Sequence, residues 1–564
     1  MNYQERYAFW CNAGLPEAVQ AELASIRKDE EELKGRFSGD LQFGTAGMRG
    51  IMGAGSNRLN RYTVRRAAQG MAAWLASTDL PKKAAIGYDS RHNSQLFAEV
   101  CAVAFAEKGI HTYLYDRLAP TPMLSYAVRE LGCGCGIVIS ASHNAGAYNG
   151  VKCYGPDGCQ MTDEPAAIVT QTISTIPYFV PEEKPFDAFM AEGLISYIGQ
   201  DIWEKYYQTV LAEAVDPEMI RSAGLDIVYT PLCGTGNEPV REILGRLGVN
   251  ITVVSCQEKP DGDFKTCEYP NPETDAALNE SYKVAKTAPC DVILGTDPDA
   301  DRVAIAVPCG DGYQKLSGNE LGCLLLDYIL KARSQRNDIP EGAITVRSIV
   351  SSPLADRIAE NYGVTMKAVL TGFKYIGGEI LELEKKGEQN KYIFGFEESC
   401  GYLKGTYARD KDAVVASMLV CEMAASLKKQ GKTIIDALNE IYAKYGYYLA
   451  YVQSIELTGA DAMEKAAKMM ADLRQAVPAT IGGAEVTVVR DYRTSVTKDI
   501  KTGEESPILL PKSNVLEFLL GQKGSVIARP SGTEPKVKFY YTAVAEDKAA
   551  AKSLLDAMVA QMSV

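Results

Sequence analysis

"KAAIGYDSRHNSQLFAEVCAVAFAEKGIHTYLY", residues 83–115, decides how the chain is read. An apolar run, Ala84 to Tyr88, breaks into the polar turn Asp89-Ser90-Arg91-His92-Asn93. A helical segment follows, a glycine closes it at Gly109, and a second apolar run begins. Glycine just past a helix is the usual left-handed terminator, so the order is strand, turn, helix, strand. The pattern returns in "DIVYTPLCGTGNEPVREILGRLGVNITVV", residues 226–254, closing at Gly248, and in "AITVRSIVSSPLADRIAENYGVTMKAVL", residues 343–370, closing at Gly363. The spacing between the three is domain-sized, far longer than a solenoid repeat. Three similar α/β domains with mixed sheets are expected.

The last stretch has a different grammar. "YVQSIEL" reads as a strand and "DAMEKAAKMMADL" as a helix; "AEVTVVRDY", "NVLEFLL", "SVIARP" and "KVKFYYTAV" read as short strands, with a final helix over "AEDKAAAKSLLDAMVAQM". Grouped strands flanked by helices predict an antiparallel α+β domain. The domains expected are 1–200, 201–312, 313–440 and 441–564.

At 564 residues the chain needs several cores, and 46% hydrophobic with 23% charged residues is globular composition. No apolar run reaches the roughly 18 residues that span a bilayer, and the acidic, helix-like N-terminus is unlike a secretory signal. A cytoplasmic enzyme is expected. A net charge of −13 argues against general nucleic-acid or anionic-membrane binding, without excluding a small phosphorylated ligand. The 14 cysteines form no C-x-x-C pair and read as reduced, mostly buried residues. Three histidines in all, His92, His111 and His143, leave little room for a His-rich metal site.

Four stretches carry chemistry. In "DVILGTDPDADRVAIAV", Asp297, Asp299 and Asp301 crowd a short loop between apolar runs. Such carboxylates repel one another unless a cation sits among them, and hard oxygen ligands favour Mg²⁺ or Ca²⁺. An EF-hand is excluded by Arg302 and Pro308 at its sixth and twelfth positions, and Asp301 departs from the D-x-D-x-[TV] of haloacid-dehalogenase phosphatases. In "SVIARPSGTEPKVKFYY", Arg529 and Lys536 offer charge and Ser531 and Thr533 hydroxyls. Gly532 there lets main-chain N–H groups approach an anion. Glu397, Glu398 and Ser399 follow an apolar run and suit sugar hydroxyls or a solvated acidic turn equally well, and Arg49, in the glycine-rich "LQFGTAGMRGIMGAG", is as ambiguous in isolation. Gly431-Lys432-Thr433 fails as a Walker loop because Ser426 replaces the first glycine, and Gly234-Thr235-Gly236 fails as a dinucleotide fingerprint because of Pro239.

"GIVISASHNAGAYNGVKCYG", residues 136–155, brings Ser142 beside His143 at the end of an apolar run. The G-x-S-x-G elbow of hydrolases is missing. On an extended segment neighbouring side chains point apart, so His143 is not an obvious base for Ser142. A serine, a divalent-metal loop and a phosphate cradle together point to phosphoryl transfer with the serine as carrier.

These stretches together resemble the α-D-phosphohexomutase family, the phosphoglucomutases and phosphomannomutases. The resemblance runs nearly the whole chain in family order: "FGTAGMRG", "GYDSRHNS", "SASHNAGAYNGVK", "PDGDFKTCEYPNPE", "GTDPDADR", "GFKYIGGEI", "FEESCGY", "RDKDA" and "RPSGTEPKVKFY". It implies an isomerase with three α/β domains and a C-terminal α+β domain around one cleft. Ser142 is then the phosphoserine; Asp297, Asp299 and Asp301, with a phosphoserine oxygen, bind Mg²⁺. Arg302 lies beside the transferring group, and Arg49, His143 and Lys152 serve proton transfer and charge neutralisation. Lys374, Glu397 and Ser399 contact the sugar, although Phe396 replaces a usual glycine. Arg529, Ser531, Gly532, Thr533 and Lys536 grip the phosphate that is not transferred. Glucose 1-phosphate and glucose 6-phosphate are the expected substrates, with glucose 1,6-bisphosphate as intermediate and activator, pentose or mannose phosphates second, in a monomer or dimer. Ala145 and Lys265 each replace a usual proline, and a freer φ at 145 would loosen the serine loop.

Overall fold

The computed structural model describes residues 1–44, 47–458, 462–531 and 536–562. The chain divides into two compact units, Met1–Gly318 with Ile376–Gly395 and Ser399–Gly431, and Asn319–Tyr375 with Phe396–Glu398 and Lys432–Val564.

In the first unit the opening stretch folds as its pattern requires. Strand Lys83–Tyr88 lies parallel to Cys135–Ile139 on one side and to His111–Tyr115 on the other. Ile195–Ile198 extends the parallel side, while Tyr148–Tyr154 and then Gly47–Ile51 join antiparallel, giving a mixed six-stranded sheet. The central strands are apolar on both faces because both are covered. Helix Ser94–Ala106 is buried almost all round, sandwiched against the sheet by Arg61–Ser77. A second mixed sheet orders Gly312–Lys315, Val303–Cys309, Val292–Thr296, Asp226–Thr230 and Asn250–Val253, with the last three parallel. The helix terminators behave as expected: Gly109, Gly248 and Gly363 have φ of 69°, 75° and 69°, where a Cβ is strained.

The N-terminal segment adds three short helices, Tyr3–Cys11, Glu17–Ser25 and Glu30–Phe37. The first begins with a capping box between Asn2 and Glu5. Their small core, Trp10, Leu15, Leu23, Ile26 and Phe37, packs on Tyr178 and Phe179.

In the second unit, Ile344–Ser348 and Thr365–Val369 form a parallel pair joined through helix Leu354–Asn361. The rest is a seven-stranded antiparallel sheet, in the order Tyr447–Glu456, Lys536–Ala545, Gly524–Pro530, Leu516–Leu519, Val488–Asp491, Val496–Asp499 and Glu505–Pro507. Helices Ala462–Gln475 and Lys548–Met562 cover one face through Ala466, Met470, Leu555 and Met558. The other face packs Tyr492, Ile527 and Tyr540 against Ile349, Val350 and Leu370.

Two strand expectations change. "AEVTVVRDY" is two strands in two sheets, Ala484–Glu485 and Val488–Asp491. Strands Val496–Asp499 and Glu505–Pro507 carry no signal in the sequence: they are short, charged and partly or fully exposed, so no apolar alternation marks them. All cysteines are free and all but Cys11, Cys256 and Cys309 are buried. Among the described residues no helix is long and apolar enough to cross a membrane.

Candidate active site

Strand Cys135–Ile139 is fully buried and runs directly into Ser140-Ala141-Ser142. The chain returns along Tyr148–Tyr154, where the register pairs Val138 with Lys152. Ser142 has φ 51°, a left-handed conformation that costs a non-glycine residue about 1–2 kcal/mol. Its N–H donates to Ser140 Oγ at 2.8 Å, and its own Oγ donates to Asp297 Oδ2 at 2.6 Å.

This backbone corrects the expectation about His143. Alternation holds for an extended chain; the left-handed turn at Ser142 instead brings His143 Nδ1 to 3.2 Å from Ser142 Oγ. Burial, and then the charges of Arg302 and Arg49, push the imidazole well below its ordinary pKa, so the ring is neutral near pH 7.

The acidic loop hangs between strands Val292–Thr296 and Val303–Cys309, which pair Thr296 with Val303. Asp297 Oδ1 accepts the N–H groups of Asp301 and Arg302, each at 3.1 Å, closing the loop on itself. Asp297, Asp299 and Asp301 are all at most 1% exposed. Thr121 donates through Oγ1 to Asp299 Oδ2 at 2.7 Å and through its N–H to the Asp299 carbonyl at 2.9 Å. Lys152 Nζ reaches Asp299 at 2.5 Å and Asp301 at 3.1 Å, and Lys411 Nζ reaches Asp301 at 2.9 Å.

The charges of this cluster are uneven. Burial, reinforced by repulsion from Asp301 and Asp299, pushes Asp297 well above the carboxylate range. Against the same burial, Lys152 holds Asp299 low, and Lys152 with Lys411 holds Asp301 low despite the neighbouring Asp299. One oxygen each of Asp299 and Asp301 is buried with no hydrogen-bond partner among the described residues. Buried unpaired carboxylate oxygens are costly and call for a cation or water among them. One ligand oxygen from each aspartate lies within 4.8 Å of the others. Hard, anionic and incompletely satisfied, the donor set fits a divalent cation.

Arg302, Arg49 and Ser399 complete the expected residues of the first unit. Arg302 Nη1 donates to Glu273 Oε1 at 2.7 Å, and Arg49 Nη1 to Asn144 Oδ1 at 2.9 Å. Ser399 is half-buried on the turn before strand Gly401–Lys404. Sequence reasoning left out two participants, Lys411 and Glu273. Lys411 lies within the "RDKDA" stretch, anchored by Asp410, which accepts from Tyr154 Oη at 2.8 Å. A lysine between aspartates was the available signal, but its partner Asp301 is far away in sequence.

In the second unit, Glu397 ends strand Tyr392–Glu397, is 5% exposed and accepts from the Gly372 N–H at 2.7 Å. Glu398 accepts from Ser348 Oγ at 3.1 Å. Lys374 lies with its ammonium 5.0 Å from the centre of the Tyr375 ring. Arg529 and Lys536 stand at facing ends of paired strands, with the Ser531 N–H donating to the Lys536 carbonyl at 2.9 Å. Gly532 and Thr533 lie outside the described residues.

Known proteins share the order of the domains. Four family models match in succession: the α/β/α domains I, II and III of phosphoglucomutase/phosphomannomutase at residues 40–178, 204–310 and 317–445, and the C-terminal domain of the same family at 493–561. The chain belongs to the phosphoglucomutase/phosphomannomutase family. It is therefore a phosphosugar mutase, an intramolecular phosphotransferase. A phosphoglucomutase of Staphylococcus epidermidis is 37% identical over 528 residues, covering 93% of this chain and 94% of the relative. A phosphoglucomutase of Staphylococcus aureus is 37% identical over 517 residues, 90% of each. Among solved structures, the open form of parafusin from Paramecium has a TM-score of 0.69 at 16% identity, covering 94% of each chain. A phosphomannomutase from Thermus thermophilus has 0.68 at 20%, covering 93% of this chain and all of the other. These two likenesses concern the fold.

Proposed function

We propose that this phosphosugar mutase interconverts glucose 1-phosphate and glucose 6-phosphate, with Ser142 as the phosphoryl carrier and glucose 1,6-bisphosphate as intermediate and activator. The observation that carries the reading is the Ser142 hydroxyl, 2.6 Å from a carboxylate of the buried aspartate cluster and 3.2 Å from His143 Nδ1, with Lys152 reaching Asp299 and Arg302 beside Asp301 in the same cluster. The extensive likeness to phosphoglucomutases supports glucose as the sugar.

Asp297, Asp299 and Asp301, with an oxygen on Ser142, would hold Mg²⁺; when bound, the ion neutralises charge that spreads over the phosphoryl oxygens. Phosphorylated Ser142 gives its phosphoryl group to the free hydroxyl of the sugar monophosphate: that hydroxyl gives up its proton as the new P–O bond forms, the bond to Oγ breaks, and Oγ takes up a proton. The bisphosphate turns over, and its other phosphate returns to Ser142 as its bond to the sugar oxygen breaks and that oxygen takes up a proton. On that return the serine proton leaves Oγ, and two acceptors stand beside it, Asp297 Oδ2 and the neutral His143 Nδ1. Lys152, Arg302 and Arg49 supply fixed positive charge for the transferring group. Lys374, Glu397 and Ser399 orient the sugar, while Arg529, Ser531, Gly532, Thr533 and Lys536 hold the phosphate that is not transferred. Either phosphate must fit that second site in turn, which is why the reaction needs two anion sites. Within the family pattern the proposed domains are 1–200, 201–312, 313–440 and 441–564.

A dehydrogenase-coupled assay with Mg²⁺, run on the 1-phosphates of glucose, mannose, ribose and N-acetylglucosamine, tests the reading. The highest kcat/KM is expected for glucose 1-phosphate. A panel led by ribose 1-phosphate overturns the sugar, and no turnover of any overturns the proposal.

A further inference from the structure

Arg91 belongs to the opening "GYDSRHNS" stretch, and the mechanism above leaves it without a role. It is 3% exposed, and its single guanidinium grips four main-chain carbonyls of the serine loop. Nη2 donates to the carbonyls of Ser142, at 2.5 Å, and of Asn144. Nη1 donates to those of Ala145, at 2.9 Å, and Tyr148, at 3.0 Å. Only a planar fork of five donors serves four acceptors in this way; a lysine ammonium has three donors on one atom.

The fork is itself fixed. Asp89, 1% exposed, places one carboxylate oxygen 3.3 Å from Arg91 Nε, while its other oxygen accepts from the Arg91 N–H at 3.0 Å and from Ser94 Oγ at 2.8 Å. The guanidinium carbon stands 4.9 Å from the centre of the Phe264 ring. The serine loop has little room to shift: a Cβ on Gly146 would meet the Gly262 carbonyl oxygen at 2.7 Å.

The grip falls on the peptide that matters. Ser142 is left-handed, and the orientation of its carbonyl is part of that conformation. Released, the residue would relax toward an ordinary region of φ, ψ space, turning Oγ away from Asp297 and His143. At position 145 alanine leaves φ free, so restraint must come through the carbonyls. We propose that Arg91 is a positioning residue: it holds Ser142 in its left-handed conformation and so aims Oγ at the aspartate cluster. This rests on reading Ser142 as the phosphoryl carrier.

The test uses the full-length Arg91→Lys and Phe264→Leu proteins, glucose 1-phosphate turnover, the rate at which glucose 1,6-bisphosphate phosphorylates Ser142, and hydrogen–deuterium exchange of residues 140–150. Displacing a reacting group by about 1 Å costs on the order of 10²-fold, so Arg91→Lys should lower kcat by about 10²-fold. KM should stay within about threefold and Ser142 phosphorylation should slow in parallel. Exchange in 140–150 should quicken about tenfold or more with the rest of the chain unchanged. Phe264→Leu should move the same quantities less, and it carries the test if Arg91→Lys does not fold. A folded Arg91→Lys protein with kcat near wild type overturns the proposal. So does a loss confined to KM, or unchanged exchange in 140–150. Exchange is read without turnover. A wild type that never phosphorylates Ser142 therefore removes the carrier reading, and exchange still decides whether Arg91 holds the loop.

Discussion

The aspartate cluster and the Arg529 cradle are both ionic sites, yet they handle charge in opposite ways. Around Asp297, Asp299 and Asp301 every carboxylate is buried, and Lys152 and Lys411 already stand within 3.1 Å. At the cradle, Arg529, Ser531 and Lys536 are all half-buried on a hairpin between two strands. A site that is charged, dry and preorganised can act on a transition state, because its groups need not reorganise as charge develops. A half-buried site that grips a phosphate unchanged by the reaction contributes binding that ground state and transition state share. The difference teaches that substitutions in the two regions should fall on different kinetic constants.

The harshest way to break the contrast is Ser142→Ala, which should lower kcat by about 10⁴-fold or more with the substrate still bound, since no other group takes the phosphoryl. Chelation should come next, lowering activity by about 10³-fold and returning it when Mg²⁺ is restored. A chelated protein with full activity would show that the unpaired oxygens of Asp299 and Asp301 hold no needed ion. Lys411→Met should lower kcat by roughly 10- to 100-fold, because Asp301 loses one of its two lysines. In the other region, Arg529→Met should raise KM by about tenfold with kcat within about threefold. If kcat falls there instead, the two regions are not distinct.

The smallest effect belongs to the outer rim of the buried network. Glu384 binds Arg129 at 2.7 Å and Arg409 at 2.7 Å, and the hydrogen bond from Arg129 holds its carboxyl below the usual range. A lowered pKa in the folded state means that this stabilisation is present above the ordinary carboxylate pKa. It is lost as the pH falls through the depressed value. Glu384→Gln should therefore cost at most about 1 kcal/mol at pH 7, given partial exposure. The gap to wild type in chemical denaturation should close as the pH falls below the ordinary carboxylate range.

What the sequence made legible was local. Strand, turn, helix and glycine recur within some thirty residues, so residues 83–115 could be read without tertiary knowledge. The aspartate loop was legible because its three carboxylates, Asp297, Asp299 and Asp301, alternate along one short loop. What escaped reading depends on distance or on backbone hand. Lys411 serves Asp301 from another loop, and Glu273 pairs with Arg302 from another. His143 is expected near the serine by resemblance, but alternation along an extended chain makes it no obvious base for Ser142, whereas φ 51° brings the ring back to the serine. The charged strands Val496–Asp499 and Glu505–Pro507 exist through pairing with neighbours, which local pattern does not encode.

The central claim, that Ser142 carries the phosphoryl group, is tested most directly by intact-protein and peptide mass measurement after incubation with glucose 1,6-bisphosphate and Mg²⁺. The wild-type chain should gain the mass of one phosphoryl group, mapped to Ser142, and lose it on adding glucose 1-phosphate; Ser142→Ala should gain none. Turnover of glucose 1-phosphate by a wild-type chain that never carries phosphate on Ser142 would contradict the account.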